Sequence, residues 1–229
     1  MFDNFFGRLY DEFVRQGGYK LMLEGLGNTI VIALVALVIG VALGILAAVV
    51  KVMPKKGILS RILNLLVDIY ITVIRGTPVL VQLLLVYFAF LSPIGMDALP
   101  VAMIVFGINS GAYVAEIIRS GILAVDKGQM EAGRSLGLSY SVTMTKIVLP
   151  QAIKNILPAL GNEFIVLIKE TSVASVITVF DLTRAARAIV ANTYDYLVPY
   201  LTLAAAYLVL VMIASYLVGL LERRLRRSD

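Results

Sequence analysis

Five apolar stretches, roughly 23–50, 62–91, 98–118, 151–177 and 197–221, alternate with short polar segments along the chain. About 20 residues of α-helix cross a hydrocarbon core of ~30 Å. Each stretch therefore predicts a transmembrane helix, and the longer ones tilt or extend beyond the lipid. No polar segment is long enough for a soluble domain, so the expected fold is all-α, integral to the membrane, with residues 1–229 as one domain. Ahead of the first stretch, residues 1–18 interleave aromatic and charged positions. They predict an amphipathic helix on the membrane surface, with Phe2, Phe5, Phe6, Leu9 and Phe13 toward lipid. Between the third and fourth stretches, 131–150 is too polar to span: Glu131, Arg134, Ser139 and Lys146 face water, while Leu136, Leu138, Ile147 and Leu149 form an apolar side. On one helix, Gly133 and Gly137 would leave a bare strip on one face. Pro150 either ends the segment or opens the next helix. Such a segment is a docking helix for a soluble partner or a solvated loop.

Polar positions inside the spans mark the candidate chemistry. The first span repeats Ala33, Ala36, Gly40, Gly44 and Ala47 at steps of three or four, a small-residue face for close packing. In the second, Arg61, Asp68, Arg75 and Gln82 recur every seven residues, nearly on one face. Arg75 falls about 14 residues, or roughly 21 Å, from the start of this helix. A bare Arg near mid-membrane costs at least ~2.5–3.5 kcal/mol, so it meets Asp68 or Glu163 in an ion pair, or it meets a substrate. Gly76-Thr77-Pro78 follows at once. It predicts a proline kink, or a break with Thr77 as N-cap and Pro78 in the first turn of a restarted helix, an arrangement that receives substrate carboxylates in transporters. Asn109, Tyr113 and Glu116 make a stripe that lines a pathway or joins helices. In the fourth span Asn155, Asn162 and Lys169 are seven apart, with Glu163 and Glu170 on the adjacent row and Gly161 leaving room beside them. Asn162 and Glu163 suit the ammonium end of a zwitterion or a cationic side chain, unless Glu163 pairs with Arg75. The candidate substrate-binding residues are thus Arg75, Gly76, Thr77, Pro78, Asn109, Asn162 and Glu163.

Composition narrows the function. The chain is 60% hydrophobic with mean hydropathy +0.92, well above the 45–50% apolar content of soluble domains. It has no Cys and no His, which removes disulfides, thiolate and imidazole metal ligands, histidine proton relays and Ser-His-Asp chemistry. No G-x-x-x-x-G-K-[ST] stretch is present, so ATP hydrolysis by that route is not expected of this chain. The net charge of +5 comes from Lys and Arg beside the spans, where topology and lipid headgroups explain them better than nucleic acid does. Thirteen lie in 51–61, 119–154 and 223–227, against six in 8–20 and 169–187. The positive-inside rule then predicts an outside N-terminus, a cytoplasmic C-terminus and a cytoplasmic 131–150 segment. The N-terminal stretch, interrupted by acids and aromatics, does not read as a signal peptide. Residues 181–195 fall outside, as a surface for an external binding protein or a solvated face, with Tyr194, Tyr196 and Tyr200 as interfacial anchors. No internal repeat is visible, so a symmetric pathway needs two copies or a related partner chain.

Glu131, Ala132, Gly137, Ile147, Leu149 and Pro150 fall in the register of the cytoplasmic "EAA" loop that this segment resembles, the loop of ABC-importer permease subunits, with Gly133 where Ala is usual. Arg75-Gly76-Thr77-Pro78 followed by Val79-Leu80-Val81-Gln82, and Lys169-Glu170-Thr171-Ser172, resemble segments of the polar amino acid branch of that family. The resemblance implies the type I importer permease fold, five transmembrane helices and a cytoplasmic coupling helix in 126–148. Glu131, Ala132, Gly133, Gly137, Leu138, Ile147, Leu149 and Pro150 would then contact the ATPase. It further implies a second permease copy, identical or related, two ATP-binding subunits that hold ATP and magnesium, and an extracytoplasmic substrate-binding protein. The permease itself would be no enzyme and would hold no cofactor, in the inner or plasma membrane. The buried charges also fit an ion-coupled secondary transporter acting without an ATPase.

Overall fold

The structure, a computed structural model, describes residues 4–52 and 57–226, so Phe2, Lys55, Lys56 and Arg227 lie outside it. Helix α1 (Phe5–Leu9) continues into a π-helical turn (Tyr10–Arg15) and leads to α2 (Gly18–Val52). Helix α3 (Ile58–Gly76) meets α4 (Val79–Leu84), which a π-helical stretch prolongs to Leu91. Helix α5 (Ala98–Leu123) leads into α6 (Lys127–Ser135) and α7 (Tyr140–Thr143). A π-helical turn (Met144–Val148) then carries the chain without interruption into α8 (Leu149–Glu170). A 3-10 stretch (Thr171–Ile177), α9 (Leu182–Thr193) and α10 (Leu197–Arg226) complete the fold.

Helices α2 and α5 form its centre, and glycine sets their separation. A Cβ on Gly40 would stand 2.8 Å from Ser110 Cβ, and one on Gly44 would stand 2.4 Å from Val114 Cγ1. From the other side, a Cβ on Gly107 would stand 2.6 Å from Ile39 Cβ, and one on Gly111 2.9 Å from Leu43 Cβ. Two interlocked Gly-x-x-x-Gly pairs therefore bring the backbones together, a stronger form of the packing expected from α2 alone. Around this seam Ile32, Ala33, Ala36, Val101, Phe106, Leu83 and Leu167 form one buried apolar cluster joining α2, α5, α4 and α8.

Three helices among the described residues, Gly18–Val52, Ala98–Leu123 and Leu197–Leu225, are long and apolar enough to cross a membrane, and the bent pair Ile58–Gly76 and Val79–Ile94 makes a fourth. The stretch expected as another span is α8 with its 3-10 extension. It falls short on apolarity because Lys154, Glu163, Lys169 and Glu170 lie along it.

At the end of the bundle that holds the start of α2, the amphipathic N-terminal segment turns its apolar side to protein. Phe13 is buried with Met22, Leu182, Ala185, Ala186, Ile189 and Val198, and Phe5 and Leu9 pack against the same cluster. Of the aromatics expected to face lipid, Phe6 is exposed. Helix α9 buries Leu182, Ala185 and Ile189 in this cluster, so 181–195 is a packed element with one free side. Arg8 pairs with Asp195 at 2.8 Å. The neighbouring Glu12 is buried, and that burial, then the hydrogen bond and charge of Asp195, push its carboxyl up to about 7 against the pull of Arg8.

Gly44→Leu should force α2 from α5 and lower stability by about 1–3 kcal/mol. Gly27→Leu, with open space at its Cβ, should leave the melting temperature of the detergent-solubilised protein nearly unchanged. The second expectation concerns pH. Folded Glu12 binds a proton that its unfolded counterpart has released, so docking of the N-terminal segment weakens as pH rises from about 4.5 through about 7. Protection of the 5–16 amides, taken relative to their intrinsic exchange rate at each pH, should fall across that window and stay constant in Glu12→Gln.

Candidate functional site

Helix α3 ends at Gly76, and the chain turns by 104° before continuing in α4. Thr77 and Pro78 are both extended (φ −123°, ψ 142° and φ −63°, ψ 135°), so the site is a full break. Pro78 itself precedes α4, and no side chain caps that helix. Thr77, expected as the N-cap, instead closes the preceding helix: its hydroxyl donates to the Val73 carbonyl at 2.9 Å. Gln82 reaches back from α4, its Nε2 lying 2.9 Å from Ile74 O, 3.1 Å from Thr77 O and 2.8 Å from Thr77 Oγ1. Carbonyls stranded at a helix end inside a membrane need such donors. Gln82 Oε1 accepts from Asn109 Nδ2 at 3.0 Å, which ties the break to α5.

Five consecutive residues of α5, Gly107 to Gly111, serve four neighbouring helices. The two glycines meet α2. The Ile108 carbonyl accepts from Tyr70 Oη of α3 at 2.6 Å, Asn109 meets Gln82, and Ser110 Oγ donates to Glu163 Oε1 of α8 at 2.7 Å.

The expected ion pairs of Arg75 do not form. Asp68 takes Lys51, Glu163 takes Ser110, and Glu116 takes its neighbour Arg119. Among the described residues no carboxylate pairs with Arg75, whose guanidinium lies 5.3 Å from the ring centroid of Tyr113. Two clefts open on either side of this contact. One, of about 470 Å³, is lined by Arg75, Gly76, Thr77, Pro78, Asn109, Tyr113 and Glu170. The other, of about 390 Å³, brings Arg75 and Tyr113 together with Glu116, Asn155 and Glu163. Both fall in the size range of small-molecule sites.

Six of the seven candidates thus converge, and Asn162 does not. It is exposed, lines neither cleft, and follows Gly161, where a Cβ would press on Val218 of α10 at 2.7 Å. Adjacent residues on a helix point about 100° apart, so Glu163 faces inward and Asn162 does not. Tyr113, Glu170, Gln82 and Ser110 are not among the seven candidates, yet they border or brace the site. Tyr113 is one turn beyond Asn109, Gln82 is seven residues beyond Arg75, and Glu170 is seven beyond Glu163. Ser110 gives no signal of its own.

At the opposite end of α5 the chain forms an elbow. Asp126 caps α6, accepting from Gly128 N at 2.6 Å. The helix closes in a Schellman turn, with Gly137 N on Arg134 O, Leu138 N on Gly133 O, and Gly137 at φ +81°. Gly133 and Gly137 therefore do not share the bare helical strip expected of them. Gly137 makes the turn, and Gly133 is buried against the following helix, where a Cβ would stand 2.5 Å from Thr143 Cγ2. Pro150 is the second residue of α8, and the helical run passes through it because the π-helical turn before it reroutes the hydrogen bonds. Ile147, Leu149 and Leu138 are half-buried, whereas Glu131, Ala132, Gly137 and Pro150 are exposed and Leu136 is 81% exposed.

The chain thus joins a broken helix, two clefts that carry charged side chains and an elbow with the exposed Leu136 at its turn. Residues 40–227 match the family of binding-protein-dependent transport system inner membrane components, and the chain belongs to that family. Among its relatives are a putative glutamine transport system permease protein of Rickettsia bellii, 41% identical over 89% of this chain and 92% of the relative, and the arginine transport system permease protein of Bacillus subtilis, 40% identical over 91% and 94%. A solved structure described as an amino acid ABC transporter with histidines superimposes with a TM-score of 0.85 at 47% identity, covering 93% of this chain and 98% of that one. The MetNI methionine ABC transporter in an inward-facing conformation shares the fold, with a TM-score of 0.71 at 20% identity, over 92% and 96%.

Gly133→Ala should press a methyl group onto Thr143 Cγ2 and loosen the elbow, seen as faster hydrogen exchange across 127–143. Adding Thr143→Ser removes that methyl and should restore most of the protection. Gly137→Ala should cost about 1–2 kcal/mol through its left-handed backbone alone.

Proposed function

We propose that this chain is the permease subunit of an ATP-driven ABC importer for polar amino acids, basic ones in particular. One observation carries the reading: Arg75 and Glu163 line the same cleft without pairing to each other. A guanidinium engaged by an aromatic face keeps its hydrogen-bond donors for a substrate carboxylate. A buried carboxylate that receives one hydroxyl keeps acceptor capacity for a cationic side chain. Glu170, on the other cleft, adds a second acceptor. Relatives named for glutamine and arginine transport, and the solved transporter described with histidines, support the substrate class.

In this reading two permease copies enclose the pathway, since a single chain leaves both clefts open on one side. The charge bias puts the elbow in the cytoplasm. There an ATP-binding subunit docks on the 126–148 region, against the exposed side of α6 and Leu136. The N-terminal helix and α9 lie at the outer face, where a binding protein delivers substrate. Closure of the ATPase pair moves the elbows as rigid levers and alternates access. ATP and magnesium stay on the partner subunit.

Sealed vesicles holding the complex should accumulate arginine with ATP and binding protein, and an ion gradient alone should drive nothing. Uptake driven by the gradient without ATP would favour the secondary-transporter reading. Glu163→Gln should cut arginine and lysine uptake by about tenfold or more, the usual cost of truncating one partner of a buried charge pair. Full basic amino acid uptake in that variant would defeat the substrate assignment.

A further inference from the structure

The hydrogen bonds at the helix break fix the sense of two amides in series. The Thr77 hydroxyl spends its hydrogen on Val73 O, so it offers Gln82 a lone pair only. Gln82 therefore faces three acceptors, Ile74 O, Thr77 O and Thr77 Oγ1, and only its NH₂ can meet them. Its carbonyl oxygen must then point to α5, and only the NH₂ of Asn109 can satisfy it, at 3.0 Å. Asn109 is left with its carbonyl oxygen, to which no donor among the described residues is assigned. It borders the cleft shared with Arg75, Tyr113 and Glu170.

We propose that Gln82 is a specificity-determining positioning residue: by holding the Asn109 NH₂, it makes Asn109 an acceptor toward the cleft, so this point selects an N–H of the substrate, an ammonium or guanidinium, and rejects a carboxylate. An asparagine free to turn would present a donor as readily as an acceptor. With the relay in place, Asn109 and Glu170 are acceptors and Arg75 is the donor, which orients a zwitterion in one direction. The proposal rests on the amino acid site described above and deepens it. It differs from a purely structural part for Gln82, which would hold the turn whichever way Asn109 faced.

The test is equilibrium binding of radiolabelled L-arginine to the detergent-solubilised complex of permease and ATP-binding subunit, in four forms: unaltered, Gln82→Met, Asn109→Asp and the double variant. A carboxylate at position 109 is an acceptor in either orientation and needs no relay. Gln82→Met should weaken arginine binding about tenfold in the Asn109 background and less than about threefold in the Asp background, a coupling that a cycle of variants isolates. Equal losses in both backgrounds would mean that Gln82 merely braces the break, and would overturn the proposal. So would unchanged binding in Gln82→Met. If the unaltered complex does not bind arginine, the basic amino acid reading fails first and takes this inference with it.

Discussion

The close approach of α2 and α5 is the constraint on which the other helices depend. Glycines on both sides remove the side chains that would otherwise hold the two backbones apart. In a bilayer, where burying apolar surface against lipid gains little, such fitting and the hydrogen bonds it permits provide most of the cohesion. With α5 fixed, the residues between its two seam glycines are placed as a set. Ile108, Asn109 and Ser110 each receive or supply one hydrogen bond, to α3, α4 and α8 respectively. A shift of α5 along α2 would disturb all three contacts together.

Polar groups inside a membrane are costly, and their partners here explain the architecture. Asp68 and Lys51 neutralise one another where α2 and α3 meet. The amide of Gln82 satisfies the carbonyls of the broken helix end. Arg75, by contrast, rests on the Tyr113 ring, and among the described residues Glu163 holds only the Ser110 hydroxyl. These two groups are opposite in charge, share a cleft and stay apart. In the proposed reading both groups stay available to a substrate, and an internal salt bridge would consume both. Through Gln82 the same break that opens the cleft also sets the facing of the asparagine beside it.

In the elbow, Gly133 and Gly137 do separate jobs and do not share one helical face. Capping by Asp126, closure by Gly137 and burial of Gly133 make α6 a short rigid block set against the start of the α8 run. Its outer residues stay exposed. The departure from Ala at position 133 has a local reason, because the branched Thr143 occupies the space that the methyl group would need.

The sequence by itself determined the membrane class, the stretches that become helices, a kink or break at Gly76-Thr77-Pro78 and the polar elbow. Each of these follows from local composition, periodicity or backbone chemistry within a few residues. The glutamate row on α8 does face the clefts, whereas the 104° turn interrupts the heptad between Arg75 and Gln82. Only the tertiary structure decided which partner each polar side chain takes: Lys51 for Asp68, Ser110 for Glu163, Asn109 for Gln82. It alone separated Asn162 from Glu163 and turned Phe13 from lipid to protein. Pairing depends on distances of a few ångströms between helices far apart in the chain, and the α2–α5 approach sets those distances through contacts that no single helix encodes.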